Sequence, residues 1–258
     1  MIGSNATTYS AQIMRQVIDK IRPGGKWQSM ILNGDFVIKP ADYEFIQSKN
    51  GFKYVPSNQL LTISQAGSDY YFQDIVKEDR VIDIGACIGG FTLPASRSSR
   101  SVIAIEPTTP DVLTQNLKLN GISNVKVIDG ALGDGGEITI DWNFKKYNKK
   151  TTPLSEFIDI SGGCDFLKCD CEGGEWGIRI QELNSIRRIE MEIHRTKMDV
   201  QRMADRIKDA GFNVYPYLPN DEVIDHVVVH AINRDIVPDV TFFERSLASR
   251  GLLEYESD

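Results

Sequence analysis

From residue 80 onward, short apolar runs typical of strands alternate with segments whose apolar residues have helical spacing. The repeated order is strand, turn and helix. Short apolar runs predict strands at 81–84, 101–105, 125–128, 165–171, 187–194, 214–217 and 227–232. Apolar residues at helical spacing predict helices at 89–97, 111–120, 175–183 and 197–211. Such alternation is typical of an α/β protein that has a mostly parallel sheet with helices on both faces.

The first 75 residues follow a different pattern. Apolar residues at helical spacing predict a helix at 10–22, which Pro23 and the glycines after it end. Asn33-Gly34 then separates two apolar runs, which predicts a hairpin. We therefore predict a helix and hairpin extension or cap over 1–75 and one domain with its own core over 76–258. Within that domain, a second hairpin and a basic stretch interrupt the alternation at 135–163.

Composition narrows the class of protein. The net charge of −7 over 258 residues disfavours nonspecific binding to nucleic acid. No apolar run approaches the roughly 20 residues of a membrane span, and the first residues lack the pattern of a signal peptide, so we expect a cytoplasmic protein.

The four cysteines, three of them near one predicted strand, form no CxxC pair. Buried thiols are therefore expected rather than a disulfide framework or a zinc site.

A glycine-rich turn follows the first strand of this domain, in "VIDIGACIGGFT". Gly85 allows a ligand to approach the backbone, and Glu106 ends the next strand, where a carboxylate can accept both hydroxyls of a ribose. A dinucleotide site would require glycine in place of Cys87, and Asp83 suits a positive ligand better than a pyrophosphate. S-adenosylmethionine is a nucleoside with an ammonium and a sulfonium group. It is the predicted ligand, with a dinucleotide or an unliganded turn as alternatives.

The third strand ends in "VIDGALGD", beside the expected pocket. Asp129 could accept a hydrogen bond from the adenine amino group, while Ala131 and Leu132 pack on the ring. The alternative is a simple Asp-Gly turn without a ligand.

Ionisable residues lie within and at the ends of two later predicted strands, in "DFLKCDCEGGEW" and "RIEMEIH". Because side chains alternate along a strand, each segment places its charges on one face. If the strands are neighbours, four groups cluster at the carboxyl ends, where ligands bind in such sheets: Asp170, Glu172, Glu192 and His194. A solvent-facing set of salt bridges and a divalent metal site are the alternatives; we predict that no metal is held.

These segments, in this order, resemble the FkbM-type S-adenosylmethionine-dependent methyltransferases. The D-x-x-K-x-D-x-E-G-x-E run from Asp165 to Glu175 is the most specific part, and the resemblance covers about 75–232. It implies a seven-stranded class I methyltransferase fold with S-adenosylmethionine as the cofactor. It also implies a ribose contact at Glu106. The remaining cofactor residues that it implies are Asp83, Gly85, Ala86, Gly89 and Phe91 for the methionine and ribose part, and Asp129 and Ala131 for the adenine.

The predicted reaction is methylation of a hydroxyl group on a small molecule or saccharide. The acceptor hydroxyl must lose a proton, and Asp170, Glu172 or His194 could accept it. An RNA methyltransferase that contacts RNA through the lysines of 145–150 is one alternative, and a non-catalytic module that keeps the fold is another. Nucleic acid is disfavoured as a partner by the net charge, and the sequence leaves room for a homodimer.

Overall fold

The computed structural model describes residues 36–37, 45–57, 59, 61–142, 144–194, 197–217 and 226–252. The predicted helix at 10–22 and the turn at Asn33-Gly34 lie outside these described residues. Only the two-residue strand that follows this turn belongs to them.

Strands and helices alternate through most of the described chain. In chain order the strands are β1 (Phe36–Val37), β2 (Ile46–Ser48), β3 (Lys53–Tyr54), β4 (Arg80–Ile84), β5 (Ser101–Ile105), β6 (Val125–Ile128), β7 (Ala131–Leu132), β8 (Glu137–Trp142), β9 (Lys145–Thr152), β10 (Phe166–Cys169), β11 (Arg188–His194), β12 (Phe212–Tyr217) and β13 (His226–Asn233). The helices are α1 (Leu61–Asp69), α2 (Thr92–Ser98), α3 (Pro110–Leu119), α4 (Leu154–Ser161), α5 (Lys197–Asp209) and α6 (Thr241–Ser249).

A seven-stranded sheet occupies the centre of the described chain, in the order β6-β5-β4-β10-β11-β13-β12. The five strands from β6 to β11 are parallel, whereas β13 runs antiparallel to both of its neighbours. This arrangement confirms the predicted mostly parallel sheet. The chain leaves β4 toward β5 and later returns to β10 on its other side, so a crevice opens at the carboxyl ends of β4 and β10, where ligands bind in such sheets.

Apolar residues fill the central strands because both faces of the sheet are covered. Val81, Ile82 and Ile84 of β4 are all buried, as are Phe166 and Leu167 of β10. The charged residues that these strands carry are therefore exceptions, and each must be paired with another group.

The predicted helix at 175–183 is wrong. Two short 3₁₀ turns occupy this region, at Gly174–Gly177 and Ile180–Leu183. Gly173 has a left-handed φ of 106°, and Glu175 is fully buried instead of lying on a solvated helix end. The hydrogen bond that Glu175 accepts from the Gly173 N–H, at 2.8 Å, fixes this tight turn and leaves no regular helical start.

The described part of the N-terminal segment packs on the sheet domain. Asn116 of α3 accepts a hydrogen bond from the backbone N–H of Val55, and Asn120, directly after α3, accepts one from that of Lys53, each at 2.8 Å. Helix α1 covers the glycine-rich loop, and a Cβ placed on Gly90 would lie only 2.9 Å from the Cα of Ile63. The predicted boundary at residue 75 stays a prediction, but contacts cross it.

Half of the ionisable face of β11 is bound into a buried network. Arg188 is completely buried and forms ion pairs with Asp74, at 2.7 Å, and with Glu190. The other Glu190 oxygen lies 2.6 Å from Nδ1 of buried His230. Because these charges satisfy one another, only Glu192 and His194, at the carboxyl end of β11, remain to form the crevice.

Candidate active site

The register of two central strands brings the predicted acidic residues together. Lys168 of β10 is paired with Glu190 of β11, so the positions two residues further place Asp170 beside Glu192. The imidazole Nε2 of His194 lies 3.1 Å from Glu192 Oε1 and 3.9 Å from Asp170 Oδ1. It also lies 3.5 Å from Glu172 Oε2. These four side chains form the cluster that strand alternation predicted, hereafter the acidic cluster.

Tyr70, which the sequence did not indicate, is inserted into the acidic cluster. Its hydroxyl lies 2.8 Å from Glu192 Oε2 and 3.1 Å from Asp170 Oδ2. The residue comes directly after α1, before the segment that carries the family resemblance. A tyrosine among the polar residues of "SDYYFQD" carries no pattern that would have marked it as part of a site.

Lys168 supplies positive charge under the acidic cluster. Its ammonium lies 3.4 Å from Asp83 Oδ1 and 3.6 Å from Asp170 Oδ2, and it donates to the Gly85 carbonyl at 2.9 Å. Burial alone lowers the pKa of Lys168, but Asp83 and Asp170 raise it, with a net rise above its ordinary value. The lysine is therefore a fixed cation that balances part of the negative charge.

Asp83 lies beneath the glycine-rich loop rather than at its surface. Its side chain is completely buried and accepts a hydrogen bond from the Thr92 hydroxyl. Burial raises the pKa of this carboxyl, while Lys168 and Thr92 oppose the rise. In this position the carboxylate orients Lys168 and the first turn of α2.

Glu106 joins the glycine-rich loop to the turn after β5. One oxygen, Oε2, accepts from the Cys87 N–H at 2.7 Å. The other accepts from the backbone N–H groups of Thr108, at 2.6 Å, and Thr109, at 2.8 Å. Since a carboxylate oxygen has two lone pairs, Oε2 keeps capacity for one further hydrogen bond. That is one of the two hydrogen bonds that the predicted contact with both ribose hydroxyls requires.

Three other predicted cofactor residues shape the loop from within the core. Ala86 is buried, and its N–H donates to the Ile105 carbonyl at 3.1 Å. Gly89 has a φ of 97°, and a Cβ there would lie 2.3 Å from a methyl group of Leu93. Phe91 is buried among aromatic rings, with its centroid 6.3 Å from that of Tyr70.

The predicted adenine residues lie beyond β6, away from the acidic cluster. Asp129 forms an ion pair with Lys149, and its side chain is 54% exposed. Ala131, in β7, is paired with Thr151 of β9. The hairpin of β8 and β9 therefore borders the predicted adenine position, a contact that the sequence did not indicate.

The loop after β10 is held in place by hydrogen bonds, although the side chain of its Glu172 lies toward the solvent. Glu172 is a non-glycine residue with φ of +56°, and its side chain is 65% exposed. Glu175 accepts from the backbone N–H of Gly173, at 2.8 Å, and from that of His194, at 3.2 Å. The buried carboxylate thus ties this loop to the end of β11, while Glu172 lies at the mouth of the acidic cluster.

The donor atoms of Asp170, Glu192 and His194 lie within 4.8 Å of one another, which is compatible in size with a bound cation. These groups already contact Tyr70, Lys168 and each other, so their charges are partly compensated. That no metal is held stays a prediction.

The ionisation of His194 should appear in the pH dependence of stability. Burial by itself lowers the pKa of His194, but Glu192, Glu172 and Asp170 raise it to about 9. Because the value in the unfolded chain is about 6.5, this contribution to stability is complete below pH ~6.5 and is lost as the pH rises through about 9. We expect the melting temperature to fall across this interval, and to fall less in His194→Gln. Equal slopes in the two proteins would show that the imidazole is not held as a cation.

Comparisons with known proteins agree with this geometry. Residues 83–214, just over half of the chain, match the model of the family described as the methyltransferase FkbM domain. The ribosomal RNA small subunit methyltransferase A of Desulforapulum autotrophicum is 32% identical over 76 residues, which are 29% of this chain and 24% of that protein. The 23S rRNA (uracil(1939)-C(5))-methyltransferase RlmD of Psychromonas ingrahamii is 33% identical over 75 residues, 28% of this chain and 17% of that protein.

This chain thus spans a quarter or less of the length of these two curated relatives. Among solved structures, the precorrin-6y C5,15-methyltransferase of Geobacter metallireducens is 15% identical, with a TM-score of 0.44. That alignment covers 76% of this chain and 98% of the other.

The sheet order, with a crevice bordered by a glycine-rich turn and by Glu106, defines a class I methyltransferase fold. Within that class, the chain belongs to the FkbM methyltransferase family. S-adenosylmethionine, the predicted cofactor, is the methyl donor of this family. The predictions of fold, family and cofactor are therefore confirmed. In the part of the chain that the structure describes, no helix is long and apolar enough to cross a membrane.

Proposed function

We propose that this chain transfers the methyl group of S-adenosylmethionine to a hydroxyl group of a small molecule or saccharide. The observation that carries the proposal is the contact between the cofactor loop and the acidic cluster. Gly85 packs so closely on the end of β10 that a Cβ on it would lie 1.6 Å from the Asp170 carbonyl oxygen. A donor bound over Gly85 would therefore present its methyl group next to the Asp170 side chain.

The donor-binding residues in this proposal are those that the family resemblance implied. Glu106 would accept from the ribose through Oε2, and Asp129 would accept from the adenine amino group with the oxygen that Lys149 leaves free. The glycine-rich loop under the donor would be formed by Gly85, Ala86, Gly89 and Phe91. Asp83 would act indirectly, because it orients Lys168.

Asp170 is the strongest candidate for the base. A histidine whose pKa is about 9 is protonated at neutral pH and cannot accept a proton. Glu172 lies at the mouth, where its side chain is 65% exposed. Burial raises the pKa of Asp170 above its ordinary value, which makes its carboxylate a better proton acceptor, while the charge of Lys168 opposes that rise.

The chemistry that S-adenosylmethionine supplies when bound is a methyl group on a sulfonium, open to in-line attack by an oxygen. The chain's own residues then align the acceptor hydroxyl and take its proton at an Asp170 carboxylate oxygen. His194 and Lys168, both cationic at neutral pH, keep the carboxylates around that oxygen from repelling one another.

RNA is the second candidate acceptor, because both curated relatives named above are RNA methyltransferases and the hairpin of β8 and β9 is rich in lysine. Acidic residues lie close to these lysines, however. Lys149 forms an ion pair with Asp129, and in the strand register Glu137 lies opposite Lys150 and Asp141 opposite Lys146. The carboxylates at the mouth would also repel a phosphate backbone. We therefore favour an acceptor without phosphates.

Calorimetric titration tests the donor. We expect S-adenosylmethionine and S-adenosylhomocysteine to bind and NAD to give no heat. Binding of NAD alone would reject the proposed function. Transfer of radiolabelled methyl groups to a panel of saccharides, hydroxylated small molecules and RNA then tests the acceptor. Labelled RNA, with an affinity that falls steeply with salt, would favour the second candidate, and donor binding with no transfer to any member of the panel would favour a non-catalytic module.

A further inference from the structure

We propose that Tyr70 relays the proton that the acceptor loses, passing it from Asp170 to Glu192. The proposal rests on the proposed function and extends it, since Tyr70 lies outside the matched family region of 83–214. The relay would make the segment before the family domain part of the catalytic machinery.

One hydroxyl group here contacts two carboxyl groups. Tyr70 lies 2.8 Å from Glu192 Oε2 and 3.1 Å from Asp170 Oδ2. A phenol has one proton to donate, so it can satisfy one carboxylate only. The second contact becomes a hydrogen bond when that carboxyl group is protonated and donates to the phenolic oxygen. The geometry therefore suits a pair of carboxyl groups that share one extra proton across Tyr70.

Tyr70 is a neutral phenol both before and after it passes a proton. Burial raises the pKa of Tyr70 well above its ordinary value, and Asp170 and Glu192 raise it further, so the phenolate is never populated at neutral pH. The two proton transfers, from Asp170 to Tyr70 and from Tyr70 to Glu192, then occur in concert. Asp170 gives its proton to the phenolic oxygen as the phenol gives its own proton to Glu192. Asp170 is left ionised, Glu192 is left protonated, and Tyr70 is unchanged.

The route continues to the solvent. His194 is already protonated, so its Nε2 first gives its proton to Glu172, which lies 3.5 Å away and has a side chain that is 65% exposed. The same nitrogen then accepts the proton held by Glu192, whose second oxygen lies 3.1 Å away. A shortcut from Asp170 to His194 is longer, at 3.9 Å, than a hydrogen bond allows. Among the described residues, Tyr70 gives the contact at hydrogen-bond distance that connects Asp170 to Glu192.

The ring of Tyr70 is fixed by contacts that do not involve its hydroxyl. It packs edge-on against Phe91, and the ammonium of Lys168 lies 5.3 Å from its centroid. Tyr70→Phe should therefore keep the packing and remove only the relay. Tyr71→Phe is a matched control, because Tyr71 is equally buried and packs against Phe243, away from the acidic cluster.

The test compares both variants with the wild type in kcat, in its pH profile and in affinity for S-adenosylhomocysteine. The ionisable groups that interact with Asp170 lie on several elements: Lys168 of β10, Asp83 of β4, Glu172 of the loop after β10, Glu192 and His194 of β11, and Tyr70. Burial raises the pKa of Asp170, and the Tyr70 hydrogen bond opposes that rise. In Tyr70→Phe we expect kcat to fall about 10-fold or more. The acidic limb of the pH profile of kcat should move to higher pH, and the affinity for S-adenosylhomocysteine should be unchanged. Tyr71→Phe should match the wild type.

An unchanged kcat and pH profile in Tyr70→Phe would overturn the relay while leaving methyl transfer itself intact. A fall in stability and donor affinity without a shift of the profile would also overturn it, since Tyr70 would then act only in packing. Infrared difference spectra give a readout that needs no acceptor. As the pH is lowered from neutral, the wild type should gain the band of one protonated carboxyl group, which stands for the state in which Asp170 and Glu192 share a proton across Tyr70. That band should be lost in Asp170→Asn, and its absence from the wild type would contradict the shared proton.

Discussion

Replacing Asp170 by asparagine is expected to lower the rate of methyl transfer by about 10²- to 10⁴-fold. Asparagine keeps the shape of the side chain but cannot take the proton of the acceptor hydroxyl. The affinity for S-adenosylhomocysteine should stay within a few-fold, because the substitution leaves in place Gly85 and Glu106, which we propose as donor-binding residues. Single-turnover kinetics and calorimetry on the same preparation measure both quantities.

Glu172→Gln serves as the comparison for this prediction. Glu172 lies at the mouth of the acidic cluster and contacts His194 at 3.5 Å, so its loss should cost less than that of Asp170. If Glu172→Gln were the more damaging change, the base would have to be reassigned to the mouth. If Asp170→Asn weakened donor binding as much as turnover, Asp170 would belong to the cofactor site.

Gly85→Ala is expected to prevent stable folding, with a loss of more than about 4 kcal/mol in the free energy of unfolding. The new Cβ would lie 1.6 Å from the carbonyl oxygen of Asp170, a backbone atom directly after the neighbouring strand β10 that cannot rotate away. Gly85 also has a φ of 76°, a conformation that costs any residue with a Cβ about 1–2 kcal/mol. Urea denaturation, or failure to recover folded protein, measures the effect.

Gly121→Ala separates these two causes. Gly121 has a φ of 66°, close to that of Gly85, but no atom lies within 4 Å of a Cβ built there. The control should lose about 1–2 kcal/mol and keep its fold. Similar losses in the two variants would mean that backbone conformation, and not the contact with β10, makes glycine necessary at residue 85.

The fold was predictable because its strands are buried on both faces. Val81 and Ile82 belong to continuous apolar runs that a parallel sheet requires, and the observed strands start within two residues of the predicted positions. The region 174–183 was mispredicted because apolar spacing there resembles a helix. The buried Glu175 carboxylate, with partners 2 and 19 residues away, decides the local conformation instead. Helices α1, α4 and α6 were not predicted, since their eight or nine residues carry little periodic signal and, unlike α2, they do not follow a glycine-rich turn.

The candidate site was predictable only where strand geometry determines it. Alternation placed Asp170 and Glu192 on one face, and the register of β10 with β11 brings them together. The pairing of Asp83 with Lys168 depends on depth within the sheet, which alternation does not encode. Tyr70 is 100 residues from Asp170 along the chain, so only the packing of α1 on the glycine-rich loop could reveal it.

The packing of α1 on Gly90 limits how far the protein can be shortened. A protein trimmed to the segment shared with its family, 83–214, would lose the helix that covers the glycine-rich loop and the tyrosine between the two carboxyl groups. It would also lose β13, leaving β11 as an open edge. The smallest working unit is therefore larger than the family region, and engineering that swaps such regions between relatives should carry residues 61–75 and β13 along with them.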